Sequence, residues 1–137
     1  MLVRNKDSVF VVKINIHKKP RLFNPTKGVK LRDMGNIFLG KDEQMTFFTK
    51  SKKHNDVTKK EWGFYLSNSV NHNLKSQGFK TAIVIGDEDG KIFINLVEIE
   101  KIDVFIKYLK RHKIRVLCWL DELKSFIYGG NRTIFGY

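Results

Sequence analysis

The stretch KKEWGFYLSNSVNHNLKSQGFKTAIVI, Lys59 to Ile85, holds the pattern from which the fold is read. Trp62, Phe64 and Leu66 alternate with Gly63 and Tyr65, the period of a strand with two distinct faces. That alternation predicts a core strand, with Trp62, Phe64 and Leu66 turned inward and Tyr65 turned out. The polar run that follows suits a short helix. Ser67 or Asn68 caps it by accepting a hydrogen bond from a free N–H. Val70 and Leu74, four apart, form its buried stripe, and Gly78 supplies a left-handed stop. FKTAIVI, Phe79 to Ile85, then reads as a second strand.

Working outward toward the C-terminus, GDEDG is a tight turn and KIFINLV the strand paired across it. Ile99, Ile102, Phe105, Ile106 and Leu109 fall on one face at helical spacing. Glu98, Glu100 and Asp103 near the start of that helix, and Lys110 to Lys113 near its end, complement its dipole. IRVLCWL is a closing strand, and DELKSFIYGG, Asp121 to Gly130, adds a last helical turn. Residues 62–120 therefore run β-α-β-β-α-β, the order of ferredoxin-like folds. Right-handed crossovers would place both helices on one face of a four-stranded antiparallel sheet.

Toward the N-terminus, SVFVVKINI alternates with Phe10, Val12, Ile14 and Ile16 on one face, which predicts a strand. HKKPRLFNPTKGVKLRDMG carries Pro20, Pro25, Gly28 and Gly35 and reads as a long loop. NIFL and QMTFFT, joined by GKDE, predict a hairpin, and KSKKHND, Lys50 to Asp56, a basic loop. The expectation is a single α+β domain over 1–137 with a mainly antiparallel sheet. A basic, β-rich part (1–60) precedes the β-α-β-β-α-β part (61–137), and its strands extend the sheet or cover its free face.

Composition bounds the function. The chain has 137 residues, 42% of them hydrophobic, enough for a packed domain rather than a disordered one. No apolar run reaches the roughly 18 residues of a membrane helix. The charged start, with Arg4, Lys6 and Asp7, lacks the pattern of a signal peptide. Cys118 is the one cysteine, which excludes an intrachain disulfide or a cysteine-rich zinc site; within IRVLCWL it reads as a small buried hydrophobe. Lys and Arg number 26 against 14 Asp and Glu. Residues 1–60 hold 15 basic and 5 acidic side chains, residues 61–137 hold 11 and 9. Such asymmetry points to a polyanionic partner, or to lysines that merely solvate the surface.

The ferredoxin-like order is shared by RNA-recognition modules, which stack bases on an open aromatic sheet face. FYLSNS resembles the first-strand pattern of such a module, with Tyr65 as one stacking candidate and Phe93 of the third strand as the other. KIFINLV lacks the Gly-aromatic pattern of the third strand. Lys18, Lys19 and Arg21 in one loop, and Lys50, Lys52 and Lys53 in another, are candidate polyanion contacts acting through counterion release. His17, His54, His72 and His112 have no ligand spacing, DEDG lacks the spaced ligands of a calcium loop, and no phosphate-binding loop is present. No metal, cofactor or catalytic residue is assigned. Glu43 and Glu61, each beside an aromatic strand, are the two carboxylates to inspect for a dispersed active site.

LFNPTKGVKLRDMGNIFLGKDEQMTF, HNDVTKKEWGFYLSNSVNHNLKSQGFKTAIV and LCWLDE together resemble a family of small bacterial proteins of unknown function. Its members occur among genes for surface-polysaccharide and O-antigen synthesis. The resemblance spans Leu22 to Glu122 and implies a cytoplasmic location and accessory work beside enzymes of sugar-nucleotide or lipid-linked sugar chemistry. Three readings follow. The first is a non-catalytic binding or accessory protein with a protein partner, a second copy of itself, or an anionic sugar as its target. The second is a nucleic-acid-binding module, and the third a small enzyme with a dispersed site.

Overall fold

The computed structural model describes Leu2–Val3 and residues 11–123. Every paired strand is antiparallel, and the strands form three sheets in an α+β chain. Two compact units divide the chain, Met1–Ser67 and Asn68–Tyr137.

Among its described residues the first unit has strands and no helix. Strand β1 (Leu2–Val3) pairs with β2 (Lys13–Thr26), and β2 with β3 (Val29–Phe38). The stretch expected as a long loop is thus a hairpin. Its prolines sit where the ladder slips: His17 to Pro20 lie against Met34 alone, and Asn24 and Pro25 lie against Lys30. A bulge leaves residues out of the ladder, so a proline there forfeits no hydrogen bond. Gly35, at φ +144°, faces Ile16 beside the first slip, and a Cβ there would stand 2.1 Å from the Asn15 carbonyl oxygen. Only glycine fits that approach.

Strands β4 (Gln44–Phe48), β5 (His54–Lys60) and β6 (Gly63–Leu66) form a meander. QMTFF therefore pairs with His54–Thr58 of β5 rather than with NIFL, whose Asn36, Ile37 and Phe38 belong to β3. KSKKHND divides into a turn and the start of β5. The strand WGFYL exists, but it is not a core strand: Trp62 is 71% exposed and Phe64 62%. It joins β5 through a link of two residues, Glu61 and Trp62. Closing so short a loop costs little entropy, whereas the later strands begin only at Phe79, beyond a much longer connection. The four-stranded ferredoxin-like sheet over 62–120 is accordingly not the pairing observed.

In the second unit, α1 is one turn, Asn73–Ser76. Its neighbours Ser69, Asn71 and Ser76 compete for backbone hydrogen bonds and hold helix propensity down. Ser69, rather than Ser67 or Asn68, takes the helix N–H: the Asn73 amide donates to Ser69 Oγ at 2.8 Å. Gly78 ends the turn at φ +90°, as its position predicts, and Leu74 is buried. Strand β7 (Phe79–Gly86) pairs with β8 (Ile92–Glu98) across the GDEDG turn and with β9 (Ile114–Trp119), giving the order β8-β7-β9. Helix α2 (Ile102–Arg111) follows a 3₁₀ turn at Ile99–Lys101 and carries the chain from β8 to β9.

Ala82, Val84 and Leu109 form the buried centre, with Phe105, Ile106, Ile114, Val116 and Trp119 packed against them. Ile99 stays exposed in the 3₁₀ turn. Cys118 is half-buried opposite Ile83. Beyond β9, Leu120–Glu122 make a 3₁₀ turn; the part of DELKSFIYGG after Leu123, like Phe10 and the start of SVFVV, lies outside the described residues.

Asp121 locks this turn to the sheet. Its carboxylate accepts the Thr81 N–H at 3.0 Å and lies 3.1 Å from the Lys80 ammonium. Burial pushes its pKa up, but the Thr81 N–H and Lys80 outweigh burial and hold it below the ordinary aspartate value. Asp121→Ala leaves the buried Thr81 N–H without that acceptor and should cost about 1–3 kcal/mol in urea unfolding, with Asp121→Asn costing less. Because the folded pKa is lowered, this stabilisation is present above the ordinary aspartate value of about 4 and is lost as pH falls through the folded pKa. The acid arm of the stability profile should flatten in Asp121→Asn.

Candidate functional site

The two units differ in what they do with apolar side chains. Among the described residues of the first unit only Thr58 is buried. Its large apolar groups lie on sheet faces, with Leu22, Phe38, Phe48, Trp62 and Phe64 each more than half exposed. Met1–Ser67 also carries 15 Lys and Arg against 6 Asp and Glu, while Asn68–Tyr137 carries 11 against 8.

Directly opposite residues of antiparallel strands share a face, so register sorts the β4-β5-β6 sheet. One face is polar. Thr46 Oγ1 donates to Asp56 Oδ1 at 2.6 Å, Thr58 Oγ1 donates to Gln44 Oε1 at 3.0 Å, and Thr58 also meets the Ser67 hydroxyl. His54 Nδ1 lies 3.5 Å from Asp56 Oδ1. Tyr65, opposite Thr58, belongs to this face, and its ring packs 6.4 Å from that of Trp62. The expected grouping of Trp62 with Phe64 and Leu66 therefore does not form; Trp62 sits in the turn and leans on Tyr65.

The other face is apolar. Met45, Val57 and Leu66 form a row across all three strands, flanked by Phe47 toward one end and by Phe64 toward the other. Phe47 is 48% exposed. Lys59, opposite Phe64, places its ammonium 5.8 Å from the ring centroid, a cation–π contact. The β2-β3 hairpin repeats this juxtaposition, with Lys13 5.9 Å from the Phe38 ring and Arg21 4.8 Å from the Phe23 ring.

Phe93 and Tyr65, the two stacking candidates, belong to different sheets. Phe93 lies opposite Val84, on the face that carries α2, and is 52% exposed on β8. Lys18 and Lys19 are exposed within the bulge of β2. Arg21 is held instead by Asp33, at 3.3 Å. The Asp33 carboxyl lies below its ordinary range because the Gly35 N–H donates to it, with Arg21 and His17 adding to the effect against opposing burial. Lys50, Lys52 and Lys53 lie in the five-residue turn between β4 and β5. This turn is ordered: Thr49 Oγ1 bonds Ser51 Oγ and accepts the Lys53 N–H, and Lys52 takes φ +66°.

The two carboxylates singled out for catalysis have structural partners. Glu43 accepts the Gly40 N–H at 2.6 Å and the Val11 N–H at 2.8 Å, and these backbone donors lower its pKa. It fastens the chain entering β2 to the link between β3 and β4. Glu61 pairs with Lys41 at 3.6 Å on the surface. Asp42 pairs with Lys60. No group of three His, Cys, Asp or Glu side chains suited to a metal occurs among the described residues, and no helix of the described residues is long and apolar enough to cross a membrane.

Comparison with protein-family models, curated proteins and solved structures gives no match. The side chains themselves must carry the functional reading. Sequence reading missed Phe47, Phe64 and Lys59 as surface groups. The alternation was visible, but it identifies a face without saying whether anything covers it.

Removing the Glu43 acceptor tests the fastening. In Glu43→Ala the Val11 and Gly40 amides should exchange with deuterium markedly faster than in the parent protein, while Glu43→Gln, which keeps one acceptor oxygen, should fall between. Unchanged protection in Glu43→Ala would show that the strands are held otherwise.

Proposed function

We propose that the protein is a non-catalytic binding protein whose first unit, Met1–Ser67, takes a polyanionic partner. The carrying observation is how the charges of this unit are used. Its described carboxylates, Asp33, Asp42, Glu43, Asp56 and Glu61, are each bonded to a neighbouring group of the unit. Lys18, Lys19, Lys30, Arg32, Lys50 and Lys52 face no carboxylate among the described residues and are exposed. Unneutralised cations on a sheet surface release counterions when a polyanion replaces their atmosphere.

The test is a titration of fluorescent polyanions at several salt concentrations. For a single strand, the plot of log binding constant against log salt should have a slope of about −0.7 for each phosphate neutralised. Lys50→Gln with Lys52→Asn removes two cations, and asparagine tolerates the left-handed backbone at position 52. That pair should flatten the slope by about 1.4. Absence of binding to any polyanion at low salt would sink the reading.

A separate observation favours a protein partner at the second unit, and specifically a second copy of the chain. Among the described residues β8 pairs only with β7, and it presents Ile92, Phe93 and Ile94 in succession, all more than half exposed. An edge whose residues Ile92 to Val97 carry no charge invites strand addition. Light scattering should show a concentration-dependent dimer that Ile94→Lys abolishes; a monomer at all concentrations would exclude it.

A further inference from the structure

Resting on the polyanion reading, we infer that the apolar face of the β4-β5-β6 sheet is a stacking platform for single-stranded nucleic acid, with Phe64 and Phe47 as its rings and Lys59 as its cation. The face is continuous from ring to ring. Phe47 lies opposite Asn55 and Phe64 opposite Lys59, with the Met45–Val57–Leu66 row between them. Four residues along β5 and two strand spacings put the rings roughly 16 Å apart on a diagonal. A short unpaired stretch of polymer spans that distance, and its bases would lie against the two rings and the aliphatic row.

Charge complementarity selects the occupant. An apolar sheet face alone would suit many partners, but this one belongs to the unit that holds 15 of the 26 basic residues. Lys59 is on the face itself, beside Phe64. The turn from Thr49 to Lys53, with Lys50 and Lys52 exposed, adjoins the Phe47 end. A partner must therefore offer flat apolar surface and regularly spaced negative charge at once. Single-stranded nucleic acid does so: every base has a π-face, and the backbone carries the charge. Duplex DNA keeps its bases stacked on one another, and an acidic polysaccharide lacks the aromatic plane. A membrane surface fits less well, because the tips of the two lysine-bearing hairpins, Lys27–Gly28 and Lys50–Lys53, are polar where insertion would need apolar side chains.

The platform differs from the one expected from sequence. It is the face opposite to Tyr65, and Phe93 is not part of it.

The experiment measures affinity of the full chain for labelled oligouridylate and oligothymidylate, for a duplex of equal length, and for alginate. Phe64→Leu keeps an apolar side chain at an exposed site and removes the ring; Lys50→Gln with Lys52→Asn removes charge and leaves the rings. The single strands should bind more tightly than duplex or alginate at moderate salt. Phe64→Leu should weaken single-strand binding about tenfold, within the span measured for loss of one base–aromatic stack, while leaving the salt slope and the urea midpoint unchanged. Phe47→Leu should act in the same direction. The lysine pair should flatten the salt slope and preserve the preference for single strands. If duplex and alginate bind as well as single strands and Phe64→Leu is silent, stacking is refuted while the polyanion reading stands. If nothing binds, both fail. Phe64→Leu loss accompanied by a lowered urea midpoint would be settled by Phe47→Leu, which must then show the loss without the shift.

Discussion

A sheet has two faces, and the described residues of the first unit include no helix to lay on either. That constraint governs the rest of its structure. Burial of apolar area is the dominant favourable term in most folds, yet among its described residues only Thr58 is withdrawn from water. Order must come from ladders, turns and side-chain hydrogen bonds. The sequence supplies these at the places where the chain changes direction. Glu43 collects the Gly40 and Val11 amides, Asp33 collects Gly35 and Arg21, and Thr49 closes the turn onto Lys53. Of the two carboxylates that looked available for chemistry, Glu43 is used in holding backbone and Glu61 pairs with the Lys41 ammonium. A group engaged by two backbone N–H donors is a poor general base, because those donors favour its ionised form.

The second unit solves the same problem by the ordinary route. Helix α2 covers one face of β8-β7-β9, and Ala82, Val84 and Leu109 are buried beneath it. Its polar feature, Asp121 against Thr81 and Lys80, sits at the end of the sheet. There the buried carboxylate is satisfied by a backbone donor and a cation together, the condition under which a charge is tolerated away from water. The acidic turn is spent similarly, with Asp87 bonded to Arg115 and Glu88 to Lys113. Little net charge is left over for a partner, in contrast to the first unit.

Legibility in the sequence followed the range of the interactions involved. The amphipathic stripe of α2, the β7-β8 hairpin and the Gly78 stop are local, and their signals were read correctly. The prolines misled because Pro20 and Pro25 normally punctuate loops; nothing local distinguishes a loop from a strand that slips its register at each proline. The fate of WGFYL was a matter of which neighbour it meets. Alternation placed Phe64 and Leu66 on one face and Tyr65 on the other, which the register bears out. It could not say that the apolar face would remain open, since covering a face is a long-range event. The lysines were legible as a count, and Arg21 shows where a count fails: Asp33, twelve residues away, takes it up.

Exposed rings and unneutralised lysines in one unit are not independent features. Like charges crowded on a small unit repel one another and oppose compactness, and a unit with so little buried apolar surface has little to set against that repulsion. A ligand that covers rings and supplies negative charge relieves both defects at the same site. Binding to the folded form alone stabilises it in proportion to the logarithm of ligand excess. On the proposed reading, the first unit is a surface that its partner would complete. A monomer selected for its own stability would have buried Phe47 and Phe64, or faced Lys18, Lys19, Lys50 and Lys52 with carboxylates, and among the described residues this chain does neither.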